Sequence, residues 1–304
     1  HSRGSGEVPM KAGVLLVDKP SGYTSFDVIA VLRGVLHERR LGHTGTLDPM
    51  ATGVLPVLVG SATKAADILP ENEKRYKASF ATGFCTDTQD ITGRVTHRTG
   101  TFPRTQEIQG MLPDFRGALM QTPPMYSAVS IGGKRLYELA RQGIELEREP
   151  RRVDIYRLEL SDYDPDTGKG SLEVSCSKGT YIRTLIDDIG KRLGCGAVMT
   201  ALTRTYSQGF KLEDCLSLDE IKALSDPQSV LIPTERLFEC YKAAHLGEKQ
   251  AQMYKNGVRL DISRINMPDV PAGGVVRVYS PDEFLGLGKA MDDGTLKVYK
   301  NFWR

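Results

Sequence analysis

Two short stretches hold the residue types that chemistry needs. The first is Leu41-Gly-His-Thr-Gly-Thr-Leu-Asp-Pro-Met-Ala-Thr-Gly-Val-Leu55, which sets one carboxylate, one imidazole and three threonines on a glycine-punctuated backbone. Glycines at 42, 45 and 53 allow tight turns or a close approach to a ligand. Asp48 precedes Pro49, and a proline keeps the residue before it out of the helical region. Its carboxylate is therefore offered from an irregular segment, either as a nucleophile or base or only as part of an Asp-Pro turn. The second stretch is Ser175-Cys-Ser-Lys-Gly-Thr-Tyr-Ile-Arg-Thr-Leu-Ile-Asp-Asp188. Lys178 and Gly179 end a strand, Thr180 is placed to cap the next helix, and Arg183 falls in that helix's first turn. A cation there opposes the helix dipole, so Arg183 calls for an anion. Asp187, one turn on, is one candidate; a carboxylate from another element is the other.

The surrounding pattern says what must position these groups. Ala12 to Pro20 reads as a buried strand, Ser21-Gly22 as a turn, and Thr24 or Ser25 as the cap of a helix from about Phe26 to Leu36. Val28, Ile29, Val31, Leu32 and Val35 recur on it at helical spacing. The Asp48 loop thus joins this helix to a strand, Val54 to Val59. Lys74 to Thr82 alternates like a strand, with Tyr76, Ala78 and Phe80 on one face. Strands are expected again around Val153–Leu160 and Ser171–Ser177, then a helix over Ile182–Leu193 closed by Gly194. Between Gln121 and Arg152 the pattern breaks. Thr122-Pro-Pro cannot be helical, Gly132-Gly133 turns, and a short helix over about Leu136–Arg141 carries mixed charge with little apolar surface. This segment is expected to project as an insertion. After Pro233, short strands such as Val275–Tyr279 and Thr295–Tyr299 alternate with Gly, Pro and Asp turns, as in a small β-barrel. The expected organisation is an expression-tag remnant at 1–9, a catalytic unit at 10–234 and a C-terminal unit at 235–304.

Composition narrows the class without naming it. A net charge of +2 does not mark a nucleic-acid binder, although local patches could. Apolar runs such as Val54–Val59 are too short to span a bilayer, and no secretory core follows Met10, so a soluble, cytoplasmic protein is expected. The cysteines at 85, 176, 195, 215 and 240 form no Cys-x-x-Cys pair, and no two histidines stand four apart. Neither a disulfide framework nor a metal site is expected.

Taken together, the motifs resemble those of the bacterial tRNA pseudouridine-55 synthases (the TruB family). Gly42–Leu55 is similar to that family's catalytic motif, Asp18-Lys-Pro-Ser-Gly-Tyr-Thr-Ser25 to its opening strand and turn, and Lys74-Arg-Tyr76 to its tyrosine-bearing strand. Thr122–Ala128 resembles its RNA-binding insertion, and Ser177-Lys-Gly-Thr-Tyr-Ile-Arg183 with Gly194–Ala197 its arginine motif. Arg277-Val-Tyr and Phe284–Gly288 resemble its C-terminal RNA-binding barrel, of the PUA type. The match runs in order from Met10 onward.

The resemblance implies an α+β pseudouridine synthase fold: a central mixed, largely antiparallel sheet with flanking helices, the insertion at about 121–152 and a PUA-like barrel. It implies isomerisation of a uridine in the tRNA T-loop after base flipping, without a cofactor. Asp48 is the implied nucleophile, Arg183 the cation that keeps it ionised through a bidentate fork, and Tyr76 the stacking residue. His43 is implied to support the extruded RNA, and Leu202 to wall the pocket. Lys19, Lys178, Tyr181, Lys134, Arg135, Arg141 and Arg151 are further expected substrate contacts, and Arg148 and Arg152 candidate phosphate contacts. Thr203-Arg204 stands where the family pattern has two basic residues, which puts a phosphate contact there in question. The implied partner is the tRNA T-arm, with a monomeric enzyme and no protein partner. The competing reading is a non-catalytic tRNA-binding chaperone, and a third is a synthase of another RNA, including a guide-RNA-dependent one. The complete set Asp48, Tyr76 and Arg183 argues for the enzyme, and the insertion for the stand-alone form.

Overall fold

The computed structural model describes residues 12–70 and 73–303, so the expected remnant at 1–9 lies outside the described residues. The first half runs β1 (Gly13–Lys19), α1 (Ser25–Leu36), β2 (Leu41–His43), β3 (Thr52–Val59), β4 (Lys74–Thr82), β5 (Phe84–Thr86), β6 (Val95–Arg98), α2 (Thr105–Met111) and β7 (Gly117–Gln121). The insertion contributes β8 (Ser130–Ile131), β9 (Lys134–Arg135) and α3 (Leu136–Arg141). There follow β10 (Arg151–Asp164), β11 (Lys169–Cys176), α4 (Ile182–Leu193), β12 (Ala197–Ser207), β13 (Phe210–Lys211) and α5 (Leu218–Ala223). Nine strands form the main sheet in the order β1-β3-β12-β4-β11-β10-β7, with β2 beside β3 and β13 beside β12. The β12–β3 pair is parallel and the others are antiparallel, so the sheet is mixed and largely antiparallel as expected.

One face of the sheet, with Leu15, Leu55, Phe80, Leu172 and Met199, packs against α1, α2 and α4 through Val28, Leu32, Ile108, Leu185 and Ile186. Thr24 caps α1 in a reciprocal capping box with Asp27, which settles the choice between Thr24 and Ser25. Gly194 closes α4 in the left-handed conformation.

The opposite face of β1 and β3, carrying Val14, Leu16, Val54 and Leu58, is also covered. Phe210, Leu237, Phe238, Leu287 and Phe302 pack on it. Burial on both faces explains why these two strands are continuous apolar runs rather than alternating ones. Of these, Leu287 belongs to the C-terminal sheet and Phe302 directly follows its last strand. That sheet comprises β14 (Ala243–His245), β15 (Leu260–Asp261), β16 (Val275–Tyr279), β17 (Phe284–Ala290) and β18 (Thr295–Asn301). Its order is β14-β16-β17-β18-β15, a half-barrel of PUA-like character with α6 (Glu248–Lys255) packed on it.

The insertion does not simply project. Leu136 and Leu139 are buried, and the Tyr126 carbonyl is tied to α4, so part of this segment is docked on the core.

Candidate active site

The Asp48 loop is held from several sides. Leu47 and Ala51 are buried in the core on either side of Asp48, and the Ser25 hydroxyl grips Leu47 by accepting from its N–H (3.0 Å) and donating to its C=O (3.3 Å). Gly22 N–H donates to the Pro49 carbonyl at 2.8 Å, joining the turn before α1 to the loop. Lys19 reinforces this joint. Its side chain is 0% exposed and donates to the carbonyls of Pro20, Tyr23 and Pro49. Lys19, expected to contact substrate, has its ammonium on carbonyls beneath the loop and does not line the cleft. Burial lowers its pKa to about 8, against the pull of the Asp48 charge.

Arg204, from β12, holds the other side of the loop. Its guanidinium donates to the carbonyls of Val54 (2.9 Å) and Gly45 (3.1 Å). The residue is 2% exposed and forms no ion pair among the described residues. Arg204 borders the cleft but turns its donors inward, onto the carbonyls of the loop. Gly53 makes the approach possible. It has φ +108°, and a β-carbon there would come within 2.2 Å of the Arg204 carbonyl oxygen.

Arg183 meets Asp48, with Nε 3.0 Å from one carboxylate oxygen. The Arg183 side chain is 5% exposed and that of Asp48 37%, so the carboxylate faces the cleft while its partner lies behind it. The pair uses one nitrogen rather than the expected bidentate fork, because the other two are engaged. They donate to the carbonyls of Tyr126 (2.9 Å) and Thr88 (3.4 Å). The local alternative is excluded, since Asp187 pairs with Lys191 at 2.7 Å and accepts from Gln89. The long-range ion pair supplies the anion that a cation in the first turn of α4 calls for.

Asp48, Arg183, Tyr76, Leu202, Lys178 and Tyr181 all line one cleft of about 410 Å³. Tyr76 and Arg204 face each other across the β4–β12 pairing, as do Ala78 and Leu202. Burial raises the Tyr76 phenol, and the adjacent Arg204 charge opposes that shift. Burial likewise raises the Tyr181 phenol. Lys74, also in the cleft wall, donates to the Ser207 hydroxyl at 2.9 Å. Burial foremost, and the Arg204 charge next, lower it to about 7.

The remaining expected residues lie elsewhere. His43 is half-buried at the end of β2, just outside a cleft wall that begins at Thr44, and its Nδ1 is enclosed without a partner. Burial and Arg204 both lower its pKa, so the imidazole is held neutral. Lys134, Arg135, Arg141 and Arg151 are exposed on or beside the insertion, with Tyr137 lying between the Arg135 and Arg141 guanidinium groups. Arg152 is paired with Asp154, and the Arg148 side chain is largely buried.

Sequence reasoning missed Ser25, Gln121 and the Thr86–Thr92 turn as site supports. In that turn the Asp90 carboxylate accepts from the Thr88 hydroxyl and from the Thr92 N–H and hydroxyl. This network orders the segment whose Thr88 carbonyl meets Arg183. The Thr-Asp-Thr-Gln-Asp run at 86–90 carries a readable signal, because short hydroxyl and carboxylate side chains favour such self-bonded turns.

The fold recurs in known structures. The chain matches one in the crystal structure of a Cbf5-Nop10-Gar1 complex (TM-score 0.73, 27% identity, 96% of this chain and 85% of that one). It also matches one in an archaeal box H/ACA sRNP Nop10-Cbf5 complex (TM-score 0.70, 25% identity, 96% and 86%). Family models assign it further. Residues 33–182 match the TruB family pseudouridylate synthase N-terminal domain. Residues 183–239 match the tRNA pseudouridylate synthase B C-terminal domain, and 243–300 the C-terminal domain of pseudouridine synthase II TruB. Among whole proteins, tRNA pseudouridine synthase B of Clostridium tetani is 40% identical over 95% of this chain and 98% of its own length. That of Alkaliphilus oremlandii is 42% identical over 91% and 92%. The chain belongs to the TruB family of pseudouridylate synthases, and it is an enzyme of that class.

Proposed function

We propose that this enzyme isomerises uridine-55 in the tRNA T-loop to pseudouridine, with Asp48 as nucleophile. The observation that carries the reading is the Asp48–Arg183 pair at 3.0 Å, its carboxylate open to a cleft walled by Tyr76 and Leu202. The cleft volume lies within the usual range of small-ligand sites, about 300–1,000 Å³.

In this reaction the bond between ribose carbon 1′ and uracil nitrogen 1 breaks, the base turns, and carbon 1′ bonds to carbon 5. The carbon 5 hydrogen is lost as a proton and nitrogen 1 gains one, so atoms and electrons balance without a cofactor. Asp48 serves as a carboxylate that can attack and later leave, with the Arg183 guanidinium behind it. An extruded base stacks on Tyr76, which contributes about 1–3 kcal/mol, against an unstacking cost of a few kcal/mol. The rest comes from backbone contacts, for which exposed Lys134, Arg135, Arg141 and Arg151 and the C-terminal unit from about residue 235 are suited. Lys178 and Tyr181, at the cleft wall, contact the extruded nucleotide, and His43 supports the RNA beside it. On this reading the enzyme works in the cytoplasm as a monomer, without a guide RNA or protein partner.

The test uses an unmodified T-arm RNA labelled with tritium at carbon 5 of uracil. Wild type is expected to release tritium. Asp48→Asn is expected to release none while binding the RNA within a few-fold of wild type. Tight binding by both proteins with release by neither would instead establish a non-catalytic RNA chaperone.

A further inference from the structure

We infer that Gln121 is a positioning residue for the catalytic pair, and that through it the neck of the insertion is tied to Arg183. The inference deepens the proposed isomerase reading and rests on it.

Gln121 is the last residue of β7 and is 4% exposed. Its carboxamide accepts from the Tyr181 N–H at 2.8 Å and donates to the Tyr181 C=O at 3.0 Å. Both bonds fall on the backbone of a single residue, which is the N-cap of α4 and has no side-chain cap of its own. A side-chain amide carries its acceptor and its donor on separate atoms, so each half of one residue's backbone meets its own partner. Fixing both groups fixes the direction in which α4 begins, and Arg183 stands two residues into it. Successive helical side chains are rotated by about 100°, so a small twist at the N-cap swings the guanidinium away from Asp48.

Gln121 also marks the place where the insertion leaves the sheet. It pairs with Arg151 across β7 and β10, so both ends of the insertion meet at this point. Five residues further along the chain, Tyr126 offers its carbonyl to the same Arg183 guanidinium. The insertion therefore reaches the catalytic arginine twice, through Gln121 at its neck and through Tyr126 within it. A pull on the insertion by bound RNA is transmitted to the guanidinium whose Nε holds Asp48.

The test is a double-mutant cycle on tritium release, with RNA affinity measured in parallel. Gln121→Leu removes both bonds and is expected to lower kcat about 10- to 100-fold, the scale of an ångström-level misplacement. Its T-arm Kd should stay within about 3-fold. In an Arg183→Lys background the same change should cost less than about 3-fold, because residues that act as a unit are non-additive. Should Gln121→Leu fail to fold, Gln121→Glu takes its place. It keeps the acceptor arm, sets a carboxylate against the Tyr181 carbonyl, and should give the same pattern. Equal losses in both backgrounds, or a loss confined to Kd, would overturn the inference while leaving the isomerase reading intact. A wild type that turns nothing over would overturn both.

Discussion

Replacing Arg204 by methionine tests whether this arginine is an internal clamp or a contact for RNA. Methionine keeps much of the buried volume and removes the donors to the Gly45 and Val54 carbonyls. Hydrogen bonds from a charged donor contribute about 1.5–3 kcal/mol each, so the gross loss is about 3–6 kcal/mol. Part of this is returned, because a guanidinium with no carboxylate partner among the described residues no longer has to be desolvated. A net cost of about 2–4 kcal/mol remains. With an unfolding entropy of about 2.1 cal/mol/K per residue over 304 residues, Tm falls by about 3–6 °C. The Asp48 loop, freed on one side, should lose about 100-fold in kcat. RNA binding supplies the discriminating assay. An internal clamp leaves the salt dependence of Kd unchanged, whereas deletion of a phosphate contact flattens the log–log slope by about 0.7–0.9. A variant with wild-type Tm and kcat but a flatter salt slope would refute the clamp.

Two further outcomes follow from the packing. Gly53→Ala is expected to cost more than about 3 kcal/mol, since a β-carbon 2.2 Å from the Arg204 carbonyl forces β3 and β12 apart. Chemical denaturation checks this, and a loss below about 1 kcal/mol would contradict it. Lys74 supplies a pH test. Its pKa is lowered to about 7 in the fold from an ordinary 10.5, so between those values the unfolded chain holds a proton that the folded chain has released. Stability should therefore rise with pH across that window, by at most about 1.4 kcal/mol per pH unit from this group, and not below it. Lys74→Met should remove that contribution, and parallel stability–pH curves for the two proteins would show the reasoning to be wrong.

What the sequence made legible is whatever local pattern encodes. Strand β4 and helix α4 have the expected ends, because alternation marks the one and a terminal glycine the other. The β5–β6 hairpin escaped notice because Val95–Arg98 is exposed on both faces and so shows no alternation. At the site, the Asp48–Arg183 pairing followed from the family motifs, but their supports did not. Lys19 and Arg204 are among the largest fully buried side chains, although charged residues are ordinarily placed at the surface. Arg204 bonds carbonyls 150 and 159 positions away, and Lys19 bonds that of Pro49, 30 positions on, besides two in its own turn. No local window contains that information. Gln121 was hidden for the same reason, 60 residues from the backbone it caps.

The two-sided burial of β1 and β3 has a consequence for grafting experiments. The strand that follows the catalytic loop presents Val54 and Leu58 to the same apolar layer that receives Leu287 and Phe302 from the half-barrel. The C-terminal sheet is thus one wall of the structure that carries Asp48. Cutting the chain ahead of it would remove Leu287 and Phe302 from that layer and uncover part of it, so lost turnover in a truncated protein would not by itself measure RNA contacts. A chimaera that takes this sheet from a relative would need the matching faces of β1 and β3 from the same donor.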